Sequence, residues 1–180
     1  MTTNSSPAAA IMLNPGRRGL LRLMGLACAV ALPLAAAPAL ANEGFDPNSK
    51  KSVNVDRTDL ALRGYDPVAY FTLGKPTPGL ASIVATHEGA RYQFATAAHR
   101  DAFVAQPAKY TPAFGGFCAM GAVMEKKLDG DPTLWRIVDN KLYLNVGAPA
   151  QKRWLEDVPG NISKATANWS RISNEAPSSL

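Results

Sequence analysis

The sequence predicts an α+β domain in which two β-hairpins form a small antiparallel sheet packed with short helices. Two pairs of strand-like segments support this prediction. Residues 82–87 and 90–95 flank a turn at Glu88-Gly89, and residues 134–138 and 141–146 flank a turn at Asp139-Asn140. The third observation is residues 158–172, where apolar side chains recur at helical spacing. We expect this C-terminal helix to cover a hairpin and close the core.

The pairing within each hairpin follows from the position of its turn. On the inner face of the first hairpin we expect three cross-strand pairs: His87 with Ala90, Ala85 with Tyr92, and Ile83 with Phe94. On the inner face of the second we expect two: Ile137 with Leu142 and Trp135 with Leu144. The aromatic members of these pairs are therefore core candidates.

Three further helices have recognisable start signals. Asp66 followed by Pro67 predicts a short helix that ends near residues 73–74. Thr96 is a capping residue for a helix over residues 97–105, with His99 in its first turn. Pro149 begins another short helix.

Residues 1–41 have the features of a signal peptide. The basic pair Arg17-Arg18 precedes an apolar run over residues 20–40 whose only charge is Arg22. The run ends in Ala39-Leu40-Ala41, a small-x-small cleavage signal, so we expect cleavage near Ala41-Asn42 and a periplasmic protein without a stable membrane anchor.

The export route has two alternatives. The run Arg17-Arg18-Gly19-Leu20-Leu21 resembles a twin-arginine signal, which exports proteins that are already folded. The residue before the pair is Gly16, where a twin-arginine signal has Ser or Thr, so general secretory export of the unfolded chain stays open.

The chain after the leader has 16 basic and 14 acidic residues, a net charge of about +2. No dense basic patch is present, which argues against nucleic-acid binding. Polar residues 42–57 are predicted to be a flexible arm, residues 58–172 the folded domain, and residues 173–180 a disordered tail. Cys28 leaves with the leader, so Cys118 is the single remaining cysteine and cannot form an intrachain disulfide.

The run from Gly115-Gly116 to Cys118 is the main candidate for a functional site. Adjacent glycines allow positive φ angles and a close approach of another segment. The Cys118 thiol can fill a core, react, or bind a metal. Met120 and Met124 follow it, and thiol and thioether ligands suit Cu(I).

The residues around His99 resemble the YHS domain. Its pattern is matched by Glu88-Gly89-Ala90-Arg91-Tyr92-Gln93-Phe94, then by His99, Phe103, Pro107 and Tyr110. The segment Gly64-Tyr65-Asp66-Pro67-Val68-Ala69-Tyr70-Phe71 and the later Gly115-Gly116-Phe117-Cys118-Ala119 resemble the longer, exported branch of that family. Small YHS modules have cysteines where this chain has Ala69, Ala95 and His99.

The resemblance implies a YHS-like fold over residues 58–172 and, from related modules, metal handling. The leading expectation is that Cys118 and His99, with Met120 and Met124, bind Cu(I) for storage, delivery or sensing. The Gly115-Gly116 bend would then bring the thiol against the first turn of the 97–105 helix. We expect the partner to be a metal ion or a periplasmic protein.

Two other functions remain as alternatives. One is a metal-free accessory or interaction module in which Cys118 is structural. The other is a thiol enzyme in which Cys118 and His99 are nucleophile and base, with Asp66 or Asp139 orienting the histidine. No phosphate loop, dinucleotide fingerprint or C-x-x-C motif accompanies them, so we do not expect an enzyme.

Overall fold

The computed structural model describes residues 44–180, and the predicted signal peptide lies outside them. Two antiparallel hairpins and six helices make an α+β domain, as predicted. The strands are β1 (Leu80–His87), β2 (Ala90–Phe94), β3 (Asp131–Val138) and β4 (Lys141–Asn145). Among the described residues each hairpin is a separate two-stranded sheet, β1-β2 and β3-β4. No helix in this part of the chain combines the length and apolarity needed to cross a membrane.

The predicted helices are present, although the first begins at Ala69 and not at Pro67, and two further short helices accompany them. The helices are α1 (Ala69–Thr72), α2 (Ala97–Ala105), α3 (Pro107–Tyr110), α4 (Ala119–Val123), α5 (Ala148–Glu156) and α6 (Val158–Ile172), with 3-10 turns at Leu62–Gly64, Ala113–Gly116 and Pro177–Ser179. The Thr96 hydroxyl accepts from the His99 N–H at 3.1 Å and caps α2 as expected. The short helix α4, which follows Cys118, was not predicted.

Both hairpin turns have the expected backbone geometry. Glu88 and Gly89 have φ angles of 49° and 72°, and Asp139 and Asn140 have φ angles of 48° and 57°. Two consecutive positive φ angles are typical of the type I′ turn, whose twist matches that of the flanking strands. The turns therefore fix the register at the end of each hairpin.

Most of the predicted pairs are confirmed. Trp135 pairs with Leu144, Ile137 with Leu142, Ala85 with Tyr92, and His87 with Ala90.

The predicted pair of Ile83 with Phe94 is wrong. Phe94 pairs with Leu80, because the register of β1 shifts between Leu80 and Val84. Such a bulge adds residues to one strand and displaces every pair beyond it, while the strand still looks regular in sequence.

Two clusters of buried side chains form the core. The first joins β1-β2 to α2, with the rings of Tyr92 and Phe94 4.8 and 5.2 Å from that of Phe103. The second lies between α4, α5 and α6 and contains Cys118 and Trp154. Burial of apolar side chains in these clusters is the main source of stability.

The segments on either side of the domain contribute to the fold. Where composition predicts a flexible arm and a disordered tail, the structure ties both segments to Lys127, whose side chain is only 1 % exposed. The Lys127 ammonium donates to the carbonyls of Lys51, Ser173 and Glu175 at 2.8, 2.9 and 2.8 Å. Composition missed this because the arm and tail are held by backbone carbonyls, which every residue has.

Candidate functional site around Cys118 and His99

Cys118 lies in the second core cluster, at the start of α4. Its backbone N–H donates to the Leu128 carbonyl at 2.9 Å, and the residue forms a parallel bridge to Leu144 of β4. The residue is 0 % exposed. The structure therefore places the thiol between the hairpin β3-β4 and the helical layer, away from solvent.

The Cys118 thiol has a hydrogen-bond partner on each side. Its sulfur accepts from the Gly121 N–H at 3.2 Å, which caps α4, and it donates to Asn145 Oδ1 at 3.7 Å. The Met120 N–H donates to the same oxygen at 3.3 Å, which fixes the orientation of the buried Asn145 amide. The thiol thus links α4 to the end of β4.

Burial raises the pKa of the Cys118 thiol above its ordinary value, although backbone N–H groups of Gly121, Val146 and Met120 act in the opposite direction. The thiol is therefore protonated at neutral pH. Because the thiolate is the nucleophile and the metal ligand, this environment suppresses both reactions.

Two buried N–H groups, on residues that contact the thiol or share its cluster, have no hydrogen-bond partner within residues 44–180. They are Asn145 Nδ2 and Trp154 Nε1, and both are buried. Trp154 belongs to the same cluster as Cys118. Each unpaired donor reduces the stability of the core by a few kcal/mol at most.

His99 lies at the first turn of α2 with its side chain 17 % exposed. Its Nδ1 is 2.6 Å from Asp66 Oδ2, and its Nε2 is 3.3 Å from the Thr72 hydroxyl. The carboxylate places the proton of a neutral imidazole on Nδ1 and leaves the electron pair on Nε2. The Thr72 hydroxyl also lies 3.1 Å from the Val68 carbonyl, so its single hydrogen is shared between two acceptors.

The Asp66 carboxylate is fully buried and accepts from four donors. Oδ1 accepts from the N–H groups of Val68 and Ala69 at 2.8 and 3.3 Å, at the start of α1. Oδ2 accepts from the Ala95 N–H at 2.9 Å as well as from His99. A buried charge is tolerated when it is hydrogen-bonded in this way, so Asp66 holds α1, β2 and α2 together.

The four predicted copper ligands are distributed over different environments. Cys118 and Met120 share the second cluster, whereas Met124 is 55 % exposed. Within residues 44–180, no hydrogen bond and neither core cluster joins Cys118 to His99. No group of three His, Cys, Asp or Glu side chains in the same range is placed to hold a metal. The Cu(I) site at these four residues therefore stays a prediction.

Sequence reasoning identified part of this network. Asp66 was one of two carboxylates considered as partners of His99, and it does orient the ring; Asp139 lies in the turn of β3-β4. Asn145, the partner of Cys118, was missed. Nothing in the chain marks it, because an asparagine 27 residues from the thiol has no local signal.

Comparison of the chain with protein-family models, curated proteins and solved structures finds no match to any of them.

Proposed function

We propose that this protein is an exported, YHS-like accessory module that does not catalyse a reaction and in which Cys118 is structural. The burial of the thiol carries the proposal. Its sulfur is closed off from solvent and occupied by the Gly121 N–H and Asn145 Oδ1. Such a thiol acts as a small apolar side chain with a weak hydrogen bond.

Metal binding by Cys118 would require three costly changes. The thiol would have to lose its proton, although burial raises its pKa. It would have to give up the S–H hydrogen bond to Asn145 Oδ1 and leave that oxygen facing a thiolate. The second cluster would also have to open, which exposes apolar surface to water. These costs favour the metal-free module over a copper carrier that uses Cys118.

A specific observation supports His99 as a second candidate. Histidines that ligate metals usually donate their other ring N–H to a carboxylate, which orients the ring and raises its basicity. Asp66 is placed to accept that bond at 2.6 Å, and Nε2 points toward the Thr72 hydroxyl at the rim of the fold. Under this second candidate, metal binds at His99 without Cys118.

Competition with a chromogenic Cu(I) chelator tests both candidates on the mature protein. Under the leading proposal, Cys118→Ala and the wild type compete equally and neither removes one Cu(I) from the chelator. If the wild type removes about one Cu(I) and Cys118→Ala does not, the structural assignment of Cys118 is wrong. If His99→Ala alone loses binding, the second candidate replaces the first.

A thiol-labelling experiment separates folding failure from loss of a ligand. In the native wild type, Cys118 should react with a disulfide reagent only as fast as the second cluster opens, and in denaturant it should react at once. Far-ultraviolet circular dichroism of Cys118→Ala reports whether that variant has folded. Rapid reaction of the native protein would contradict the burial on which the proposal rests.

A further inference from the structure

A cavity of about 220 Å³ lies beside Gly115 of the Gly115-Gly116 bend. Its walls come from five parts of the fold. They include Ser52 of the arm, Glu88 of the β1-β2 turn, Tyr92 of β2, Thr111 and Phe114 of the loop before the glycines, and Trp169 of α6. The volume is smaller than the ~300 Å³ at which pockets for drug-sized ligands begin. It has room for several waters or for one small molecule.

Tyr92 gives this cavity a polar group that the protein itself leaves unused. The residue is 1 % exposed, and its ring packs against Phe103 at 4.8 Å. Its hydroxyl forms no side-chain hydrogen bond with any residue in the range 44–180, whereas the equally buried Tyr70 donates to the Pro132 carbonyl at 2.9 Å. Among residues 44–180 the hydroxyl oxygen is not one of the buried unpaired atoms, so it is open to the cavity and can bond to water or to a bound ligand.

Other cavity groups are also available for hydrogen bonds. The side-chain hydroxyls of Ser52 and Thr111 make no hydrogen bond to a described residue, and the Glu88 carboxylate contacts only the His87 ring there, at 3.7 Å. The charge of Glu88 also contributes, after burial, to a raised pKa of the Tyr92 hydroxyl. Glu88 and Tyr92 therefore line the same cavity and lie close enough for their charges to interact.

The apolar part of the wall is aromatic. The rings of Phe114 and Trp169 lie 5.7 Å apart with an interplanar angle of 59°. Two inclined rings present a surface on which the C–H face of a flat or cyclic molecule can pack. The cavity thus combines an aromatic surface with one carboxylate and three hydroxyl groups.

Charges of both signs lie on or near the cavity wall, so neither an anion nor a cation is favoured as its ligand. The Glu88 carboxylate repels an anion. Two ammonium groups lie near the wall: Lys127 is 6.0 Å from the centroid of the Trp169 ring, and Lys51, which is paired with Asp59, is 3.5 Å from the Gly89 carbonyl beside Glu88. We propose that this cavity binds a neutral molecule rich in hydroxyl groups and about the size of one monosaccharide. None of its lining residues is Cys118 or His99, so this inference goes beyond the proposed function.

The test is a titration of the mature protein, labelled with ¹⁵N at the tryptophan indoles, with glucose, mannose, galactose and myo-inositol. Choline and citrate serve as cationic and anionic comparators. We expect at least one neutral polyol to shift the Trp169 indole resonance saturably, while the Trp135 and Trp154 resonances stay in place. Tyr92→Phe and Glu88→Gln should each weaken that binding about tenfold, the usual effect of losing one hydrogen bond to a charged or buried group.

Tyr65→Phe is the matched control, because Tyr65 packs against the first core cluster without lining the cavity. It should leave the titration unchanged. Binding of choline or citrate alone, saturation that Tyr92→Phe and Glu88→Gln do not alter, or no saturable shift with any of the four polyols would each overturn the proposal. Copper competition is a separate readout, so failure of this site is distinguishable from failure of the structural assignment of Cys118.

Discussion

The carbonyl oxygen of Ser52 occupies the space that a side chain at Gly115 would need. A Cβ added at Gly115 would overlap that oxygen, and the adjacent Asn54 N–H donates to the Gly115 carbonyl at 2.8 Å. Gly115 and Gly116 have φ angles of 60° and 86°, as expected for a glycine pair that bends the chain. The close partner of this bend is the part of the arm at residues 52–54.

Gly115→Ala should therefore detach the arm. Gly89→Ala is the control, because Gly89 also has a positive φ of 72° but open space around its Cβ position. We expect Gly89→Ala to cost about 1–2 kcal/mol of unfolding free energy, the penalty of a left-handed alanine. Gly115→Ala should cost more in urea unfolding and should accelerate hydrogen exchange at the Asn54 amide. Equal costs and an unchanged Asn54 exchange rate would contradict the close approach.

Lys127→Met should loosen both ends of the domain. The methionine keeps an apolar side chain but leaves the carbonyls of Lys51, Ser173 and Glu175 without their donor. We expect a loss of about 2 kcal/mol in urea unfolding and faster hydrogen exchange in the arm and tail. Glu156→Gln on α5, far from these carbonyls in sequence, is a control that should stay within about 0.5 kcal/mol.

The same substitution gives a pH-dependent prediction. Burial lowers the pKa of Lys127 from 10.5 to about 8, and the nearby Glu175 charge opposes the shift. Between those pH values the unfolded chain holds a proton that the folded chain has released. The free energy of unfolding of the wild type relative to Lys127→Met should therefore rise as the pH increases from 8 to 10.5. A decrease over the rising interval, in urea titrations of both proteins, would contradict the lowered pKa.

Asp66→Asn should destabilise the domain because both carboxylate oxygens accept hydrogen bonds. An amide has one acceptor, so its NH₂ group must face either the Val68 and Ala69 N–H groups or the Ala95 N–H and His99. We expect a cost of about 1–3 kcal/mol in chemical unfolding, and a changed ¹⁵N tautomer signature of the His99 ring. Asp139→Asn, in an exposed turn, is the control and should change stability by less than about 0.5 kcal/mol.

Trp135→Ala tests the second hairpin. Trp135 pairs with Leu144, and its ring packs against that of Tyr70 at 5.2 Å. We expect a loss of about 3 kcal/mol of unfolding free energy, the lower end of the range for a large aromatic residue, since Trp135 is only half-buried. Arg136→Ala, on the neighbouring exposed position, should have little effect. A cost below about 1 kcal/mol for Trp135→Ala would contradict the packing.

Local signals in the sequence predicted the helices and turns well. Thr96 at the start of α2 and the apolar spacing of α6 led to helices with the observed bounds, because capping and periodicity act within one or two turns. The bulge in β1 was not predictable, since β1 has the same alternation with and without it. For the candidate site, the sequence identified Cys118, His99 and Asp66 as residues with chemistry, but it did not identify their neighbours.

The sequence by itself determined the two hairpins and the capped or periodic helices of this α+β domain, and the identity of its reactive side chains. The tertiary structure alone decided which groups meet: Cys118 with Asn145, Asp66 with His99, and Lys127 with the carbonyl of Lys51, 76 residues away. The physical reason is that helices and turns are stabilised by hydrogen bonds and side chains a few residues apart. Contacts between distant segments depend on how those elements pack, and no local pattern specifies that packing.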